Sequence, residues 1–165
     1  MIYPFHGRRL SRVIVIETIY NSELLNDSLD KAFEDIVNMR KNYFNEILNE
    51  IKKEDIKRMF LSDLENWEKI VNFSKELLSA YKLNKEKIEE ILKEVITGKW
   101  DYERIFLLEK SILKTAVCEM ISFDTPYKIV IKEALNIGNY FISDQSIKFI
   151  NAVLDKVAEK LNLKL

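Results

Sequence analysis

Few residues in this chain can force a sharp turn. Three glycines and two prolines among 165 residues leave little for a sheet-rich fold, which spends such residues on frequent tight turns; long helices suit this composition better. A single cysteine, Cys118, excludes an internal disulfide and makes a reducing cytoplasm the expected setting. A single histidine, His6, would have to serve any histidine-based metal site or Cys–His pair, and it falls in an N-terminal stretch expected to be a tail. No apolar run approaches the roughly 20 residues that span a membrane, so no membrane association is expected. The first seven residues carry neither the charged start nor the long apolar core of a secretory signal. The net charge of −1 removes bulk electrostatics as a route to nucleic acid.

Catalytic signatures are missing too. The sequence contains no glycine-rich phosphate loop, no His-Glu-x-x-His helix and no Gly-x-Ser-x-Gly elbow. The acidic pairs Glu34/Asp35, Glu54/Asp55 and Glu89/Glu90 are sequential, so their side chains diverge on a helix and build no two-carboxylate site. Cys118 falls on an apolar stripe, as a small core residue would. The expectation is a protein that is not an enzyme, with no catalytic residues, no metal and no cofactor.

What the sequence does have is helical periodicity. An apolar content of 47% with 32% charged residues is that of a globular protein. A first helix is predicted from about Arg8 to Leu24. A second, capped by Asp27 or Ser28, carries Leu29, Phe33, Ile36, Phe44, Ile47 and Ile51 at spacings of three and four. Lys52 to Ser62 is charged and less regular and reads as a break or a short helical turn. From Asp63 the pattern resumes and runs to Ile96, as one very long helix or two in tandem near Asn84. Its charges from Lys85 to Glu94 alternate in sign and read as a solvated face. Gly98 closes it as a C-cap glycine would. Asp101 is expected to begin the next helix, with Ile105, Leu108, Ile112, Leu113, Ala116, Val117 and Met120 as its buried stripe. Asp124-Thr125-Pro126 reads as loop, N-cap and first helical residue, and Ser143 or Asp144 as the cap of the last helix. The fold class is all-α, with about six to seven helices in one domain; the Gly98–Trp100 stretch separates an N-terminal lobe, about 8–97, from a C-terminal lobe, about 101–162.

The charge distribution says more than the total. Residues 1–16 contain Arg8, Arg9 and Arg12 and no acid. At helical spacing these three cluster around one turn, where guanidinium groups can clamp phosphates and stack on unpaired bases. The alternative is a solvated helix start, since cations there oppose the helix dipole.

The run Pro126-Tyr127-Lys128-Ile129-Val130-Ile131-Lys132-Glu133-Ala134, followed by Ser146 to Lys156 and preceded by Glu103-Arg104-Ile105 and Ile112-Leu113-Lys114, resembles the C-terminal half of the NusB family of bacterial transcription antitermination factors. The segment Arg8-Arg9-Leu10-Ser11-Arg12, then Val15, Glu17 and Ile19-Tyr20, resembles its N-terminal signature Arg-Arg-x-Ala-Arg-Glu, then Ala, Gln and Leu-Tyr. Val13 stands where a Glu is usual and Glu17 where a Gln is usual. The resemblance implies two packed helical bundles and an RNA-binding adapter. With the ribosomal protein NusE, such an adapter holds boxA-like single-stranded RNA in an antitermination complex on RNA polymerase.

The resemblance also implies site residues. Arg8, Arg9 and Arg12 correspond to the part of NusB that contacts RNA. Phe141, Gln145 and Lys148 surround a turn that borders the RNA, where they could stack on a base, bond a base edge and reach a phosphate; Phe141 could equally be core. Tyr20 and Glu109 correspond to positions that meet NusE, against the plainer readings of a packed ring and of a carboxylate facing Lys110 or Lys114. Phe149 reads as core, Asn151 as an interhelical hydrogen bond, and Ala152 as a small residue permitting close helix approach. NusB-like domains also occur fused to RNA cytosine methyltransferases, and no such catalysis is expected without that half. The rival function is a helical protein–protein scaffold that does not bind RNA, for which Val13 and Glu17 speak.

Overall fold

The computed structural model describes residues 5–98 and 101–164, so Lys99 and Trp100 of the expected lobe boundary lie outside the described residues. Among them are seven α-helices, one 3-10 turn and no strand. The helices are α1 (Gly7–Leu25), α2 (Leu29–Ile47), α3 (Glu54–Glu65), α4 (Trp67–Val95), α5 (Leu107–Ser122), α6 (Tyr127–Gly138) and α7 (Asp144–Lys160). The chain forms two compact units whose boundary, between Glu76 and Leu77, falls inside α4.

In the first unit α1 packs along α2. Between them Asn26 adopts the left-handed conformation (φ 56°) that short polar side chains tolerate. The Ser28 hydroxyl then accepts the Lys31 amide at 3.1 Å and caps α2, satisfying one orphan donor. Leu10, Val13, Ile14 and Ile19 of α1 are buried, and Phe44 of α2 packs edge-on against Phe60 (centroids 4.8 Å apart) and Trp67 (5.7 Å). Two small hydroxyls tie α1 to the start of α4. Ser11 donates to the Ile70 carbonyl at 2.8 Å, and Ser74 donates to the Ser11 carbonyl at 3.0 Å.

The stretch 52–62, expected to be a break or a short helical turn, belongs mostly to α3, a helix of 12 residues. Glu54 and Asp55 in its first turn complement the helix dipole, and a narrow buried face of Phe60 and Asp63 suffices to hold it. Ile51 is buried beyond the end of α2.

In the second unit α4 runs unbroken through Asn84, whose amide bonds the Ala80 carbonyl at 2.9 Å within the helix. Gly98 has a positive φ (81°) but lies three residues beyond Val95, the last residue of α4, rather than at its cap. The charged side of α4 is not wholly solvated: Glu89 pairs with the buried Lys114 at 3.6 Å, and Glu94 pairs with Lys160. Asp101 caps the 3-10 turn Tyr102–Arg104 rather than a helix, and α5 begins only at Leu107. Ile105 is therefore buried on extended backbone. Pro126 is the cap residue of α6 rather than its first helical residue, so the helix begins one residue later than expected. Helix α5 is buried on every side from Ser111 to Met120, between α6 and α7. Cys118 sits in it and donates to the Leu77 carbonyl at 3.6 Å; burial pushes its thiol up to about 12.

Three structural readings of α7 do not hold. Phe149 is half-buried rather than core, and Asn151 and Ala152 are exposed. The close approach in this unit is made by Gly138, where an added Cβ would lie 2.7 Å from Ile147 Cδ1. No helix among the described residues is long and apolar enough to cross a membrane.

Candidate nucleic-acid interface

The first turn of α1 holds no acidic residue, and no side chain of its own caps it. Its positive dipole end is met by a carboxylate from α3. Asp63 Oδ1 accepts the Gly7 amide at 3.0 Å, while Oδ2 lies 2.5 Å from His6 Nδ1. His6 is thus no loose tail. It occupies the cap position of α1, with its ring edge-on to Phe60 at 5.0 Å, and the preceding Phe5 is buried.

The arginines divide by environment. Arg8 is exposed, with its guanidinium carbon 4.5 Å from the centre of the Phe73 ring. Arg12 lies 5.9 Å from the same ring and is only 8% exposed, leaving little of it for a ligand. Arg9 is half-buried. Val13 and Glu17, where the signature has a Glu and a Gln, face inward. Val13 is fully buried, where a Glu would be costly. Glu17 pairs with Arg40, and its pKa is raised because burial outweighs the opposing pull of that guanidinium. Tyr20 is half-buried farther along α1.

In the second unit α7 caps itself: the Ser143 hydroxyl accepts the Ser146 amide at 3.2 Å, and Asp144 occupies the first turn. Gln145 and Lys148 are exposed on the first turns of this helix, and Phe141 is half-buried just before it. Glu109 is not a solvated carboxylate facing Lys110 or Lys114. It is 6% exposed and accepts the Ser146 hydroxyl, tying α5 to the start of α7. A cleft of about 200 Å³ beside it is lined by Arg104, Phe106, Glu109, Gln145 and Phe149 among others. The structure therefore brings Glu109 and Gln145 into one place. Phe106, 76% exposed on the same cleft, was missed; the mark it leaves in the sequence is a large apolar residue just before a helix start.

Among the described residues no group of three or more His, Cys, Asp or Glu side chains could hold a metal ion. These features define the class: an all-helical chain whose candidate contacts are cations and aromatic rings at helix starts. The model of the NusB family matches residues 9–159, and the chain belongs to that family. It is 30% identical over 153 residues to the transcription antitermination protein NusB of Pseudothermotoga lettingae, covering 92% of this chain and 91% of that one. It is 32% identical over 90 residues to the NusB of a Picosynechococcus species, a stretch that spans 42% of that protein's length and 54% of this chain. The fold is also that of a chain in the crystal structure of antitermination factors NusB and NusE in complex with dsRNA, at a TM-score of 0.69 and 16% identity over 93% of this chain and 96% of that one.

Proposed function

We propose that this chain is a non-catalytic RNA-binding adapter of transcription antitermination, working in the cytoplasm as a single NusB-like domain without a cofactor. Together with a NusE-type ribosomal protein it holds boxA-like single-stranded RNA in an antitermination complex on RNA polymerase. The observation that carries this reading is the start of α1, where an acid-free first turn presents Arg8 over an aromatic ring. A guanidinium held this way keeps its outer face and its N–H edges for bases and phosphates. Arg9, Lys148 and Gln145 add contacts, with Phe141 as a stacking surface. Arg12 supports the patch from within by packing on Phe73. Tyr20 offers a ring to the partner, and Glu109 acts on partner and RNA by fixing the start of α7.

The burial of Arg12 and the pairing of Glu17 with Arg40 favour a second reading, a scaffold that binds protein only. A titration of single-stranded and double-stranded RNA, with and without NusE, separates the two. Phosphate contacts from Arg8, Arg9 and Lys148 imply weak binding alone with a salt slope of about −2, and tighter binding with NusE. NusE binding with no RNA signal in either state would establish the scaffold.

A further inference from the structure

Beside the start of α1, within the first unit, lies a cleft of about 310 Å³, at the lower end of the size of small-ligand pockets. Arg8, Ser11, Asp63, Asn66, Lys69 and Phe73 are among the residues that line it. Most of its polar groups are spoken for. Asp63 is engaged by Gly7 and His6, and the Ser11 hydroxyl by the Ile70 carbonyl. Arg8 and Lys69 differ: neither has a carboxylate partner among the described residues, and both are exposed. A cleft that pairs its one carboxylate internally and leaves two cations beside an aromatic ring is built for an anionic, planar ligand.

We infer that this cleft takes one unpaired nucleotide of the bound RNA, with Lys69 of α4 as a phosphate contact and the Arg8–Phe73 stack as the platform for the base. The inference rests on the RNA-adapter reading and extends the RNA-binding surface from α1 onto α4, a helix that no sequence signal connected with RNA. Lys69 suits the role because an ammonium on a flexible stem reaches a phosphate as a point charge, while Arg8, fixed against Phe73, supplies a rigid plane.

The test is a salt series of single-stranded RNA titrations on the full chain, in the presence of NusE, comparing wild type with Lys69→Gln, Lys75→Gln and Arg9→Ala. Lys75 is an exposed lysine of the same helix that does not line the cleft. Lys69→Gln is expected to weaken binding several-fold and flatten the slope of log affinity against log salt by about 0.7, one single-strand phosphate contact. Lys75→Gln is expected to change neither. A Lys69→Gln protein that binds like wild type while Arg9→Ala weakens binding would overturn the cleft and leave the adapter reading standing. Equal losses from Lys69→Gln and Lys75→Gln would also overturn it, since that is a diffuse charge effect. Wild type that binds no RNA would remove the adapter reading and the cleft together.

Discussion

Helices α1 and α7 both carry candidate RNA contacts at their starts, and they solve the same electrostatic problem in opposite ways. Helix α7 is locally complete, with its own serine cap, an acid in its first turn, and cations that begin only at Lys148. Helix α1 is incomplete. It places arginines where the dipole disfavours them and borrows the Asp63 carboxylate from α3 to hold its first amide. A basic patch at a helix N-terminus thus depends on tertiary structure, whereas an exposed lysine one turn into a self-capped helix does not.

The severest challenge to this contrast is Phe60→Ala. The ring supports both His6 and Phe44, and its loss is expected to cost about 3–5 kcal/mol, measured by urea unfolding. If α1 is tertiary-dependent, RNA binding through Arg8 and Arg9 should fall with it. Asp63→Ala is next, at about 1.5–3 kcal/mol for a buried, charge-assisted pair of contacts, against about 1 kcal/mol for the cap mutant Ser143→Ala. Equal costs in chemical denaturation would abolish the distinction between borrowed and local caps.

Cys118 gives a reading of the second unit alone. Its folded thiol ionises near 12 against an ordinary 9.0, so the unfolded state loses its proton first. Stability is therefore unaffected below pH 9 and falls by about 1.4 kcal/mol per pH unit from this group between pH 9 and 12. Cys118→Ala should remove that slope. At pH 8 native labelling of the thiol should be very slow and report opening of α5. Rapid labelling in the Phe60→Ala protein would show that the two units unfold together. The smallest stability effect is expected for Lys148→Ala, within about 0.5 kcal/mol by thermal melting, because an exposed lysine on a locally capped helix supports nothing else. Its RNA salt slope should nonetheless flatten by about 0.7.

Sequence pattern was most reliable where local chemistry is self-sufficient. Ser28 and Ser143 cap the helices expected of them, and Cys118 is core. It failed where a partner distant in sequence decides. Helix α3 was hidden because its buried face amounts to little more than Phe60 and Asp63, too narrow to produce a clear period. Glu109 and Arg12 carry charges that read as surface, and Ser146 and Phe73, 37 and 61 positions away, are what bury or engage them.

By itself the sequence determined the all-helical class, most helix limits and the family, because periodicity, capping residues and a conspicuous C-terminal run are local properties of the chain. Only the tertiary structure decided which cations remain available. Arg8, Arg9 and Arg12 are neighbours with the same charge, yet the position of Phe73 and of the α1 core leaves Arg8 outside and Arg12 within. It also decided that His6 belongs to the fold, since only the folded chain brings the Asp63 carboxylate, 57 residues away, into reach of its ring. The physical reason is common to both: burial and long-range pairing are properties of where helices pack, and helical periodicity records which face is apolar without recording what will cover it.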